Sequence, residues 1–298
     1  MNLNDAENLL PPELVGSGMY PVVAYRIPAA QHPAFEEQCW VVEEQALLID
    51  VADVGQYTLM RTRTELPGAA GFLPSDGVLA AKPEPETLTL AAGFLFTEGI
   101  IDGMDDIASM AVCADSSDVV RVRLVDPACA QPFRRSGLVA SSCGLCGDTD
   151  TAAAGARLPK VADALRLEIA DLPRLLALME NRQAVFNITG GTHAAALFDR
   201  NLALVACAED LGRHNALDKA IGQCLLRRQA TAGCGAMLSG RVSLELIVKA
   251  ARAGLEIVAA VSAPSSLAVA TAERLGITLC GFVRNGRVTV FTHPWRLQ

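Results

Sequence analysis

Two cysteines two residues apart, Cys143 and Cys146, lie in the segment Ser141-Ser142-Cys143-Gly144-Leu145-Cys146-Gly147. A pair at this spacing can pass a sulfur atom, close a disulfide or supply half of a metal site. Carrying sulfur as a persulfide needs a thiolate that two different partners can reach in turn. Gly144 and Gly147 suit an exposed, pliable loop, and Arg134 and Arg135 stand just upstream, where positive charge would favour the thiolate. On this reading Cys143 carries the persulfide and Cys146 resolves or relays it. The pattern alone leaves metal binding and incidental buried cysteines open. A structural zinc site needs four ligands, and no second Cys-x-x-Cys or nearby histidine completes one. A thioredoxin-type pair would open a helix directly after a strand, whereas glycines surround this one and Pro159 follows.

Further polar groups stand at element junctions in the second half. Glu209-Asp210-Leu211-Gly212-Arg213-His214-Asn215 falls between a strand and a helix, where α/β sheets place ligand groups. It puts Arg213 and His214 at a helix start, a natural anion site. The alternative is a capping network in which Asp210 and Asn215 satisfy backbone and His214 packs. Thr189-Gly190-Gly191-Thr192-His193 could line a phosphate or pterin pocket, or be a tight turn. Ser239-Gly240-Arg241 and Ser262-Ala263-Pro264-Ser265-Ser266 each lead into a helix. Several such junctions in one domain suggest a shared cleft. Gly281-Phe282-Val283-Arg284-Asn285-Gly286-Arg287 adds a basic hairpin, which on its own could equally be an exposed turn.

The elements that position these groups follow from periodicity. Residues 1–18 read as a loose tail. Cys39 and Val41, Ala46–Ile49 and Tyr57–Met60 read as strands, and Arg61–Pro85, rich in Gly, Pro and Ala, as a long surface loop. Thr87–Gly99 has helical spacing, with strands at Ile107–Cys113 and Val119–Val125, so residues 19–140 form a small α+β domain. Residues 141–165 are the cysteine loop and a linker. Within 166–298, Asp171 can cap a helix to Glu180, and Asn215 can cap one carrying Leu217, Ala220, Ile221 and Cys224. Leu202–Ala206, Ile257–Val261 and a hairpin across Asn285-Gly286 read as strands. The order α-β-β-α-β-α-β-α-β-β implies an α/β fold, a three-layer sandwich with a mixed sheet.

Composition narrows the function classes. With 298 residues, 51% of them hydrophobic, the chain can build a large core, yet no apolar run reaches membrane-span length. The first ten residues are acidic and polar, unlike a secretory signal. Nine cysteines without a scaffold rhythm fit a reducing cytoplasm. A net charge of −8 argues against a general nucleic-acid binder.

The ordered set Ser-Ser-Cys143-Gly-Leu-Cys146-Gly, Thr189-Gly-Gly-Thr-His193, Glu209-Asp-Leu-Gly-Arg-His-Asn-Ala-Leu-Asp-Lys219, Ser239-Gly-Arg241 and Ser262-Ala-Pro-Ser-Ser266 resembles the FdhD family. So does the tail Gly276-Ile-Thr-Leu-Cys-Gly-Phe-Val-Arg284. These are formate dehydrogenase accessory sulfurtransferases, and the resemblance runs from about Gln38 to the C-terminus. It implies that sulfur is taken as a persulfide from a cysteine desulfurase. The sulfur would pass to the molybdenum (or tungsten) bis-guanine-dinucleotide cofactor, here a bound substrate, before that enters the formate dehydrogenase catalytic subunit. It also implies a cytidine-deaminase-like C-terminal half and a homodimer. Cys143 and Cys146 match the carrier pair. The dinucleotide is expected around Gly281, Phe282, Val283, Arg284, Asn285 and Gly286, with Thr189, Gly190, His193, Arg213, His214, Ser239, Arg241 and Ser262 lining the cleft.

No catalytic zinc is expected. A zinc deaminase needs a His-x-Glu and a Pro-Cys-x-x-Cys, but His32, His193, His214 and His293 are followed two residues on by Ala34, Ala195, Ala216 and Trp295. The chain departs from the family between Met60-Arg61-Thr62 and Gly93-Phe94-Leu95, where an extra stretch runs to Pro85. Two other roles stay open at this level: a chaperone that holds the cofactor without moving sulfur, and a dithiol redox protein.

Overall fold

The structure, a computed structural model, describes residues 18–27, 33–64, 71–73, 77–78, 85–130, 137–139, 158–284 and 286–298. The expected tail, Arg134, Arg135, Cys143, Cys146 and Asn285 lie outside the described residues. The first half contains β1 (Met19–Arg26), β2 (Phe35–Val42), β3 (Gln45–Val51), β4 (Gly55–Arg61), β5 (Gly71–Leu73), β6 (Gly77–Val78), α1 (Glu86–Thr97), β7 (Ile107–Cys113), β8 (Ser116–Leu124) and β9 (Gly137–Val139). The second contains α2 (Asp171–Glu180), α3 (Ala184–Thr189), β10 (His193–Phe198), β11 (Leu204–Asp210), α4 (Arg213–Leu226), β12 (Gly235–Leu238) and α5 (Leu244–Arg252). It ends with β13 (Ile257–Ala260), α6 (Ser266–Leu275), β14 (Thr278–Arg284) and β15 (Arg287–Val290).

The second half is built on a six-stranded sheet of order β11-β10-β12-β13-β14-β15. β10 runs antiparallel to both β11 and β12, β12, β13 and β14 run parallel, and β15 turns back antiparallel on β14. The period-2 alternation of β10 sends Ala195 and Leu197 to one face and Ala194, Ala196 and Phe198 to the other. The first face packs against Leu217 and Ile221 of α4, Ile247 of α5 and Ala272 of α6. The second packs against Leu172, Leu175 and Met179 of α2. Helices on both faces of a mixed sheet are the α/β sandwich that the element order implies.

The first half is a seven-stranded sheet of order β6-β5-β7-β8-β3-β4-β9, with β1 and β2 as a separate antiparallel ribbon. α1 covers the larger sheet. Residues 87–95 of α1 are all buried, because its other side meets α4. That contact explains an α1 sequence with no polar stripe. It is closest at two glycines: a Cβ on Gly93 would stand 1.8 Å from the Asp218 carbonyl oxygen, and one on Gly222 1.8 Å from that of Thr89.

Several expectations are corrected. Arg61–Pro85 is not all surface loop. Arg61 and Thr62 are fully buried, and β5 and β6 lie within the stretch, β5 pairing with the edge of β7. Tertiary pairing there overrides a Gly- and Pro-rich composition. Two further elements were not expected: α3, whose six residues are too short for a helical pattern, and the eight-residue β1, which carries Pro21 and forms only a two-stranded ribbon with β2. The N-cap of α2 is Ala170, with Asp171 in its first turn. α4 starts at Arg213 after a Gly212 cap, two residues before the expected Asn215, because the Asn215 side chain is drawn elsewhere.

Candidate functional site

Because β10 is antiparallel to its neighbours, the start of β10 and the carboxyl ends of β11, β12, β13 and β14 all reach one edge of the sheet. The helices that follow β11, β12 and β13 begin there too, so three helix N-termini and their unpaired N–H groups share that edge. This is where open α/β sheets place ligands. His193, Arg213, His214, Ser239, Arg241, Ser262 and Gly281–Arg284 all fall on it.

The groups nearest one another are basic. His193 Nδ1 lies 3.4 Å from Ser239 Oγ, which accepts the Ala194 N–H at 2.8 Å. Gly240 is the spacer between His193 and Arg213. A Cβ on it would stand 3.1 Å from His193 Nδ1 and 3.5 Å from Arg213 Cβ. His214 Nε2 is 3.1 Å from both Ser243 Oγ and Glu245 Oε2. Ser243 and Glu245 are site residues that the sequence reading did not single out. Their signal was position, directly after Ser239-Gly240-Arg241 at the start of α5. The Arg213 guanidinium is held below its ordinary value by burial and then by the charge of Arg241, with Glu245 opposing. Burial, then Arg213, His214 and Arg241, hold the His193 imidazole below its usual range. The positive charges gathered here oppose one another, an opposition that an anion would relieve.

The loop after β13 joins this group to the terminal hairpin. Val242 N–H donates to the Ala263 carbonyl at 3.2 Å, and Phe282 N–H to that of Ser262 at 3.3 Å. A side chain on Gly281 would crowd Phe291, Pro264 and Ser262, at 3.0–3.1 Å. Beyond Gly281 the β14–β15 register shifts and Phe282 takes a left-handed φ of 55°. Val283 is buried, while the exposed Phe282 ring lies 5.9 Å from the Arg284 guanidinium and 6.4 Å from the Phe291 ring. Strained backbone that presents an exposed ring and a cation is a feature of binding loops.

The remaining predicted positions are held in local structure. The Thr189 hydroxyl donates to the Val185 carbonyl at 2.8 Å and accepts the Gly191 N–H at 3.1 Å, and Gly190 ends α3 with a φ of 67°. They make the tight turn that leads into His193. Glu209 accepts the N–H groups of Val185 and Phe186, both at 3.0 Å, and the Thr192 hydroxyl. Asp210 accepts from Thr62 N, Gly212 N and Asn215 Nδ2, and pairs with Lys219 at 2.7 Å. Asn215 also donates to the Met60 carbonyl at 2.7 Å, and Lys219 to that of Thr62 and to Glu86. The Glu209–Lys219 motif thus divides: Arg213 and His214 face the cleft, Glu209 holds α3 and Thr192, and Asp210, Asn215 and Lys219 tie the two sheets together.

Burial pushes the Cys280 thiol up to about 12, and burial, with Arg182 only partly offsetting it, pushes Cys207 up to about 11. Among the described residues no three His, Cys, Asp or Glu side chains are grouped as metal ligands, and no helix is long and apolar enough to cross a membrane.

A family profile described as the FdhD/NarQ family matches residues 78–298. "Sulfur carrier protein FdhD" of Thermoplasma acidophilum is 39% identical over 239 residues, spanning 78% of this chain and 83% of that protein. The protein of the same name from Anaeromyxobacter dehalogenans is 41% identical over 225 residues, spanning 70% of this chain and 78% of its own. A crystal structure of a provisionally assigned formate dehydrogenase accessory protein from Desulfotalea psychrophila superposes with a TM-score of 0.71. It covers 94% of this chain and all of its own at 23% identity, and so supports the fold.

Proposed function

Because the chain belongs to the FdhD/NarQ family, we propose that it is a sulfur carrier in formate dehydrogenase maturation. It accepts sulfur from a cysteine desulfurase at Cys143. The Cys143 thiolate attacks the terminal sulfur of the donor persulfide, the donor thiolate leaves, and Cys143 becomes the persulfide. Passing that sulfur on as sulfide takes two electrons. Attack of the Cys146 thiolate on Cys143 Sγ supplies them and leaves a Cys143–Cys146 disulfide for a cellular dithiol to reduce.

The acceptor in this reading is a molybdenum or tungsten bis-guanine-dinucleotide cofactor, held as substrate on the cationic edge of the sheet. The observation that carries it is the pair Arg213 and Arg241 beside helix N-termini: the charge of Arg241 acts on Arg213, and neither has a hydrogen-bond or ion-pair partner among the described residues. The hairpin at Phe282 and Arg284 offers a ring and a cation to a purine and its phosphates. A homodimer, the formate dehydrogenase catalytic subunit as client and a cytoplasmic setting complete the proposal.

Intact-mass spectrometry after incubation with a desulfurase and cysteine tests the sulfur step. Wild type is expected to gain one sulfur atom that reductant removes, and Cys143→Ala to gain none. An adduct that persists in the variant would place the carrier elsewhere.

A further inference from the structure

Four basic groups, His193, Arg213, His214 and Arg241, gather at the cleft, and among the described residues only His214 is ion-paired, with Glu245. Asp210, whose backbone pairs with that of His193 across β10 and β11, has its carboxylate taken up by Lys219, Asn215 and the Gly212 N–H. Glu209 is taken up by α3 and Thr192. Among the described residues no carboxylate acts on His193. Its ring meets Arg213 and His214 from α4, Arg241 from the loop after β12, and the Ser239 hydroxyl.

Ser239 serves either protonation state of the ring. Its oxygen already accepts the Ala194 N–H, so its O–H is free to donate to a neutral Nδ1. After a rotation it can accept from a protonated Nδ1. Among the described residues His193 Nε2 has no partner, so the ring is fixed at one nitrogen and open at the other.

We propose that His193 takes a proton from solvent when a phosphate-bearing ligand seats between Arg213 and Arg241, so that ligand uptake and proton uptake are one event. The inference rests on the cofactor-cleft reading above. Burial and the neighbouring cations keep the free imidazole neutral near pH 7. A bound diphosphate, which brings two negative charges, reverses the sign of the local field and favours the imidazolium. The charged ring then supplies a donor at Nε2 that the free protein lacks. A ligand without that second negative charge leaves His193 neutral, which makes the residue a selector for dianions.

Titration calorimetry with guanosine diphosphate, repeated near pH 7.5 in two buffers of different ionisation enthalpy, counts the protons. Wild type is expected to take up roughly half a proton or more per ligand beyond what His193→Gln takes up. The variant should still bind, with an affinity about three- to ten-fold weaker. Its thermal melt shows whether it is folded, and the wild-type count needs no variant. Binding by wild type without uptake, or equal uptake by the folded variant, overturns the inference and leaves the cleft reading standing. No binding of guanosine diphosphate by wild type overturns both.

Discussion

A cysteine carries sulfur only as its thiolate, and burial decides which cysteines of this chain can become one. With thiols at about 12 and about 11, Cys280 and Cys207 are held protonated by their surroundings. At neutral pH on the order of one such thiol in 10,000 or fewer is ionised. Cys280→Ala and Cys207→Ala are therefore expected to keep full sulfur uptake in the intact-mass measurement. Loss of the adduct in either folded variant would move the carrier into the core. The sequence could name nine candidate cysteines and prefer Cys143 and Cys146 on spacing and glycine content. It could not show that Cys280 is sealed and Cys207 half-buried, because the residues that cover them come from separate strands and helices.

At the scale of elements, the crossing of α1 and α4 sets how the halves meet. Gly93 and Gly222 let each helix approach the other's backbone, and the atoms in the way are carbonyls that no rotamer change can move. Alanine in mid-helix is ordinarily favoured over glycine by about 1 kcal/mol. Here overpacking is expected to outweigh that, and Gly222→Ala should lose about 1–3 kcal/mol, read as a lower urea midpoint. A raised midpoint would mean that the helices can ride apart freely. Most helices were legible: the apolar spacing of 87–99 and, α3 apart, the order of elements from α2 to β15 survive in the structure. β5 and β6 were not, since strands of three and two residues exist only because β7 offers an edge.

Over the whole molecule, one network of polar contacts between the two halves centres on Lys219, and a second on Lys249 with Asp218, Thr97 and Glu98. Burial alone would lower the Lys219 ammonium, but Asp210 and Glu86 outweigh that and hold it charged. Removing one partner of a buried pair strands the others, so Lys219→Met is expected to cost about 3–5 kcal/mol in a denaturant titration. Unchanged stability would show that the Lys219 network does not hold the halves together. The same network explains how far the site could be read in advance. Sequence by itself determined the α/β order, the family-like motifs and the placing of Arg213, His214, Ser239 and Arg241 at strand-to-helix junctions, because periodicity and turn chemistry are local. Only the tertiary structure decided that Arg213 and His214 serve the cleft while their neighbours Asp210, Asn215 and Lys219 serve the joint. Lys219 meets Thr62 from 157 positions away and Asp218 meets Lys249 from 31, and such partners are chosen by how the sheets pack, which no local pattern records.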